Sequence, residues 1–135
     1  VIMEETLALI KPDAVKRNII GNIVALIEKD GFTIKKMKMM QMSENTAKNF
    51  YSVHADKPFY SNLIEYMTSG NIVALVLERD NAVSAYRKLI GATNPMEADN
   101  NTIRKLYAID QSHNSVHGSD SIENAQNEIS IIFNE

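Results

Sequence analysis

Cysteine is absent from the 135 residues, which removes both a disulfide framework and the usual zinc-ligand spacings. That usage fits a cytoplasmic protein. No window approaches the run of about 18 apolar residues that a membrane span needs. The opening VIMEETLALIKPD is an acidic lead into a short apolar run, unlike a cleavable signal, so no membrane partner is expected. Positive charge is not in excess either. The formal net charge is −3, whereas a surface for nucleic acid neutralises phosphates with clustered Lys and Arg, so no nucleic-acid partner is expected. Neither G-x-x-x-x-G-K-[ST] nor G-x-G-x-x-G occurs, and the five glycines are scattered as turn residues. A backbone phosphate cradle is therefore not expected, and side chains must do any phosphate holding. Low-complexity segments, long charge runs and internal repeats are missing as well.

What is present suits one domain, residues 1–135. At 44% hydrophobic over 135 residues the chain can form one proper core and is too short for two domains of ordinary size. Thr6 to Lys11 reads as a strand closed by Pro12, with Asp13 capping a short turn. Ile20, Ile23, Val24 and Ile27 recur at the spacing of a helix with one buried face, stopped by Gly31. Phe32 to Met42 reads as a strand in which Met37 and Met39 alternate with Lys36 and Lys38 until Met40 breaks the pattern. A bulge or burial on both faces is implied, with the methionines as core filling. Ser43 caps a helix carrying Ala47, Phe50 and Tyr51, and Pro58 starts another carrying Leu63, Ile64 and Met67, ended near Gly70. These two helices form a rim to a cleft. Ile72 to Leu77 is a central strand, and Asp80 caps a helix with Val83, Tyr86 and Ile90 on one side and Gly91 after it. Ala92 to Ser112 is a long loop with a short helical turn near Thr102 to Lys105, long enough to be functional or interfacial. The order β-α-β-α-α-β-α-loop-β-α fits an α+β sandwich with helices over a small mixed or antiparallel sheet.

The stretch Asn114 to Ser121, NSVHGSDS, follows a last short strand and carries the chemistry. His117 lies beside Gly118, which leaves its approach open, and just ahead of a helix signal. Asp120 is the expected N-cap with Glu123 three residues on, and Ile122, Ala125, Ile129 and Ile132 fall at helical spacing. The positive end of a helix favours a neutral imidazole, with one ring nitrogen available as nucleophile or base. Taken alone, a histidine in such a turn can equally be a capping or structural residue.

NSVHGSDS resembles the N-x-x-H-G-S-D motif of nucleoside diphosphate kinases, whose histidine is phosphorylated by a nucleoside triphosphate and then phosphorylates a nucleoside diphosphate. TLALIKPDAV at 6–15, HADKPFY at 54–60, SGNIVALVLE at 69–78, GATNP at 91–95 and TIR at 102–104 match the same family in its order. The resemblance therefore spans almost the whole chain. It implies a ferredoxin-like α/β sandwich with a four-stranded antiparallel sheet covered by helices, a choice that periodicity alone does not make. It also implies that His117 carries the phosphoryl group, that Glu128 orients its imidazole and that Ser119 assists. Lys11, Tyr51, Arg87, Thr93, Arg104 and Asn114 would supply the charge and donors that phosphoryl transfer needs on its oxygens. Mg2+ would be the cofactor, riding on the nucleotide phosphates and not in a protein cage. Phe59 would stack on the base, with Leu63 on the helix after it, and stacking suits an enzyme with little base preference.

Without the family, Lys11 and Arg87 read as solvated charges, Tyr51 and Phe59 as core, Thr93 as a turn hydroxyl, and His54 and His113 as surface histidines. Two other functions fit parts of the sequence: a phosphohistidine carrier that passes its phosphate to a protein, and a non-catalytic ferredoxin-like binding module. The chain departs from the family at Lys105 and Leu106, where a small residue and then Asp or Asn commonly stand, and at Gln111, Ser112 and His113. These departures concern loop packing and contacts with a neighbouring subunit. By the same resemblance a homo-oligomer is expected, a tetramer in preference to a hexamer.

Overall fold

In the computed structural model, which describes residues 3–109 and 113–133, the first strand, β1 (Met3–Ile10), starts three residues ahead of Thr6 and carries its buried run at Thr6 to Ile10. Pro12, lacking an N–H, ends the ladder and opens α1 (Pro12–Lys16) from its first turn. Next come α2 (Ile20–Lys29), β2 (Thr33–Gln41), α3 (Glu44–Phe50), a 3-10 turn at Ser52–His54 and α4 (Tyr60–Met67). After them follow β3 (Asn71–Asp80), α5 (Ala82–Ile90), α6 (Ile103–Tyr107), β4 (Val116–Gly118) and α7 (Ile122–Ile132). The four strands lie in the order β2-β3-β1-β4, every neighbouring pair antiparallel. This is the expected ferredoxin-like α+β architecture.

Strand alternation divides the interior in two. Ala8, Ile10, Val73, Leu75, Leu77 and Val116 face Ala14, Ile23, Ile27, Tyr86, Ile90 and Ile103 from α1, α2, α5 and α6. Leu7, Leu9, Ile72, Ala74 and Val76 face Ala47, Phe50, Ile64, Met67 and Ile132 from α3, α4 and α7. β1 and β3 are covered on both faces, which is why they read as unbroken apolar runs. A buried Leu or Ile contributes about 1.5–3 kcal/mol. The two long inner strands therefore hold the sheet, and the three-residue β4 is carried at its edge.

Several expectations shift in register. The bulge falls between Ile34 and Lys36. Beyond it Lys36 and Lys38 reach over the Phe133 ring, and Lys38 donates to the Ile132 carbonyl at 2.6 Å. Met37 and Met39 are not core filling: β2 is an edge strand, and they are 49% and 56% exposed. Of the methionines in that stretch, Met40 and Met42 join the core. Asp13 sits inside α1 with Lys11 as N-cap. Pro58 lies in the turn before α4, whose N-cap is Phe59. Asp80 ends β3, and the cap of α5 is Asn81 in left-handed conformation (φ 52°, ψ 42°). Ser121, not Asp120, caps α7, its hydroxyl accepting the Asn124 N–H at 3.0 Å, and Ile122 is exposed. Ser43 and Thr102 cap α3 and α6 through their side chains. Lys105 and Leu106 point to solvent and leave Arg104 buried, while Gln111 and Ser112 lie outside the described residues.

Candidate active site

Pairing of β4 with β1 decides where His117 points. Val116 and Gly118 oppose Ile10 and Ala8, and His117 opposes Leu9. By alternation Val116 and Gly118 turn toward α5, and His117 turns toward α3 and α7. Its ring meets Phe50 at 5.2 Å between centroids (68° between planes) and Tyr51 at 6.4 Å (84°). Gly118 is required by packing and not by access: a Cβ there would lie 2.8 Å from Tyr86 Cδ2.

α7 supplies the imidazole's partner. Glu128 Oε1 lies 2.9 Å from His117 Nε2, and Ser119 Oγ donates to the same oxygen at 2.6 Å. An ionised carboxylate only accepts, so Nε2 carries the hydrogen and Nδ1 keeps its lone pair. Nδ1 has no hydrogen bond among the described residues. A neutral imidazole with one nitrogen oriented and the other bare is a nucleophile ready for use.

Lys11 follows β1 in extended conformation (φ −77°, ψ 165°) and continues the alternation of Leu9 onto the His117 side. It is 8% exposed, and its Nζ donates to Asn114 Oδ1 at 2.8 Å. Burial, reinforced by the Arg104 charge and opposed by Asp13, lowers its pKa to about 8. Arg104, equally buried, donates to the Gly91 carbonyl and the Val116 carbonyl, each at 3.0 Å. Burial and, to a smaller degree, the Arg87 charge bring its pKa down to about 10, with Tyr86 acting in the opposite sense. Arg87 is exposed and approaches the Gly118 carbonyl at 3.4 Å. Arg104 is thus repelled by Arg87 and in turn acts on Lys11 at the edge of β4, an arrangement that an anion relieves.

Two polar atoms here, Tyr51 Oη and Arg104 Nε, are buried without a hydrogen-bond partner. An unsatisfied buried donor costs about 1–3 kcal/mol. Burial, and secondarily Glu128, push the Tyr51 hydroxyl's pKa up, so it remains a donor. Asn114 Nδ2 reaches the Thr93 carbonyl at 3.5 Å, which brings the exposed Thr93 to the same edge. Phe59 is half exposed at the start of α4, its ring 5.5 Å from that of His54, which in turn lies 6.5 Å from Tyr51. Leu63 is half-buried against the core beneath α4. His113 packs edge-on against Tyr66 at 4.8 Å.

The structure therefore gathers His117, Glu128, Ser119 and Tyr51 on one side of β4, with Lys11, Asn114, Arg104 and Arg87 along it and Phe59 on the outer rim. Sequence reasoning missed Phe50, which walls the imidazole. Its helical spacing with Ala47 signalled only a core position. It also gave Asp13 no role beyond a cap.

A family model described as nucleoside diphosphate kinase matches residues 4–135. A nucleoside diphosphate kinase of Histophilus somni (strain 129Pt) is 55% identical over 133 residues, covering 98% of this chain and 94% of that protein. One from Lawsonia intracellularis (strain PHE/MN1-00) is 56% identical over 132 residues, covering 98% and 96%. Among solved structures, a C222 crystal form of the Aquifex aeolicus nucleoside diphosphate kinase superposes with a TM-score of 0.96 at 41% identity, covering 98% of this chain and 96% of that one.

Proposed function

This chain belongs to the nucleoside diphosphate kinase family, and from that premise we propose how its own residues carry the reaction. The activity is transfer of the terminal phosphate of a nucleoside triphosphate to a nucleoside diphosphate through a phosphohistidine. The observation that supports His117 as the phosphorylated residue is the 2.9 Å contact of Nε2 with Glu128: with the hydrogen of a neutral ring held on Nε2 by the carboxylate, the Nδ1 lone pair is left bare. Nδ1 attacks the γ-phosphorus in line, the bond from that phosphorus to the β-bridging oxygen breaks, and the diphosphate departs with the electron pair. A second diphosphate then attacks the phosphohistidine through its terminal oxygen, and the N–P bond returns its electrons to Nδ1. Imidazole gains positive character as the N–P bond forms, and Glu128 stabilises it through Nε2–H.

Lys11, Arg104 and Arg87 offset charge on the phosphate oxygens, while Asn114 and Tyr51 add donors and Thr93 lines the entrance. This donor set suits phosphate oxygens and not a bare cation, in keeping with Mg2+ entering on the nucleotide and supplying charge neutralisation there. Phe59 and Leu63 form the apolar rest for the base, which agrees with the position of Phe59 on the rim. The same reading has the enzyme act in the cytoplasm as a homo-oligomer, a tetramer in preference to a hexamer. The exposed Met37 and Met39 on the edge strand offer apolar surface for a second copy. No helix among the described residues is long and apolar enough to cross a membrane.

Because one site serves donor and acceptor in turn, initial-rate plots at several fixed donor concentrations are expected to be parallel. Intersecting lines require a ternary complex and would exclude the shared site.

Glu128 orients and does not react, so its loss slows the transfer without stopping it. Partners of this kind are worth about 10- to 100-fold. Glu128→Ala is expected to lose that much in the rate of His117 phosphorylation and Glu128→Gln less, since the amide keeps an acceptor oxygen. A wild-type rate in Glu128→Ala would make Glu128 an ordinary helix charge.

A further inference from the structure

Asp13 is the sole buried carboxylate among the described residues, and it takes no part in the transfer described above. Three side chains converge on it. The Tyr66 hydroxyl, from α4, donates to Oδ1 and accepts the Asp13 N–H at 3.3 Å. Ser115 Oγ donates to Oδ2 at 2.9 Å, and Arg17 Nη2 donates to that same oxygen at 3.1 Å. Arg17 also reaches Ser115 Oγ at 2.9 Å and the Tyr107 carbonyl at 2.6 Å. Directly and through Arg17, the carboxylate thus ties α1, α4, the end of α6 and the turn before β4 into one knot.

Ser115 is the member nearest the chemistry. It adopts φ +72°, a left-handed conformation that a serine holds only when its surroundings enforce it. Its carbonyl accepts the Lys11 N–H at 2.8 Å, and its preceding neighbour Asn114 receives Lys11 Nζ at 2.8 Å. A turn free to relax at Ser115 would move the Asn114 side chain relative to Lys11, two groups that hold the phosphates in the reading above. A carboxylate is well suited to restraining that turn, because it accepts several charge-assisted bonds at once from partners far apart in sequence.

We propose that Asp13 is a positioning residue for phosphoryl transfer: by anchoring the left-handed Ser115 turn to α1 and α4, it sets Asn114 against Lys11 in the geometry that holds the nucleotide phosphates. The inference rests on the phosphohistidine reading. It assigns to Asp13, Tyr66 and Ser115 a role in rate that is separable from their role in holding the fold together.

The test is single-turnover labelling of His117 by radiolabelled ATP with Mg2+, in the wild type, Asp13→Asn, Asn114→Ala and the double variant, with Tm recorded for each. Asp13→Asn is expected to label about 10- to 100-fold more slowly. Because it acts through Asn114, the double variant should label within about twofold of Asn114→Ala alone. A wild-type rate in Asp13→Asn overturns the inference, and so does a full additional loss in the Asn114→Ala background, which is what a purely structural role gives. If Asp13→Asn does not fold, Tyr66→Phe removes a single donor from the knot and is read the same way. It should show a smaller loss that vanishes in the Asn114→Ala background, and a wild-type rate there overturns the inference. A wild-type enzyme that takes no label on His117 overturns the phosphohistidine reading and this one together, whereas normal labelling in both wild type and Asp13→Asn overturns this one alone.

Discussion

Changing His117 to glutamine is expected to abolish phosphoryl transfer while leaving the fold in place. No other described side chain offers an imidazole nitrogen oriented by a carboxylate, so nothing replaces Nδ1 as the atom proposed to form the N–P bond. The protein itself should tolerate the change. His117 lies on the three-residue edge strand, its pairing with Leu9 is through the backbone, and its side chain is 18% exposed. A glutamine amide can still donate toward Glu128, so the carboxylate keeps a second donor beside Ser119. Stability should stay within about 1 kcal/mol of wild type, as for a typical single substitution. Retention of more than a few per cent of the activity by a clean variant, with nucleotide binding intact, would remove His117 from the covalent step.

The next largest effect is expected at Lys11. Removing one preorganised donor from a site where charge develops costs about 100- to 1,000-fold in kcat, and Lys11→Met should lose at least that much. Stability should move little or even rise, because exchanging a buried cation for an apolar side chain of similar length relieves desolvation. Activity and stability measured on the same variant therefore diverge, which a generally damaged fold would not produce. The pH dependence has a definite sign. Lys11 is charged below about 8 in the folded, nucleotide-free chain, so phosphate affinity should weaken as pH rises through that value. Between about 8 and the ordinary 10.5 the unfolded chain binds the proton that the folded one has released. This group's contribution to stability thus increases with pH over the same window. Titration calorimetry with a nucleoside diphosphate on either side of pH 8 checks the first statement. An affinity that does not change there in the wild type, or changes equally in Lys11→Met, contradicts it.

How much could be read from the residues varied with the range of the interactions involved. Local patterns carried far: the unbroken apolar runs of β1 and β3, the buried face of α2, the Ser43 cap and the short helix within the long loop all rest on neighbours in sequence. Adjacent capping residues could not be ranked. Asp80 and Asn81, and again Asp120 and Ser121, are equally good cap types, and the choice is made by where the preceding strand or turn ends. Met37 and Met39 looked like core because their alternation is apolar. Nothing local reveals that β2 is an edge strand whose bulge turns the intervening lysines toward Phe133. In the site, His117, Glu128 and the residues proposed to hold the phosphates were singled out only through the family motifs, since periodicity alone left each with an ordinary alternative. The reason for Gly118 lay in Tyr86, 32 positions earlier in the numbering. The Asp13 knot depends on partners 53 and 102 residues away, beyond any local signal.

The central claim is that the phosphate rests on His117 between two nucleotides. Incubating the enzyme with radiolabelled ATP, removing free nucleotide and then adding GDP tests it in one experiment. The expected result is acid-labile label on the chain, absent from His117→Gln, that GDP releases as labelled GTP. A chain that takes no label, or one that surrenders label only to another protein and not to GDP, would contradict the account.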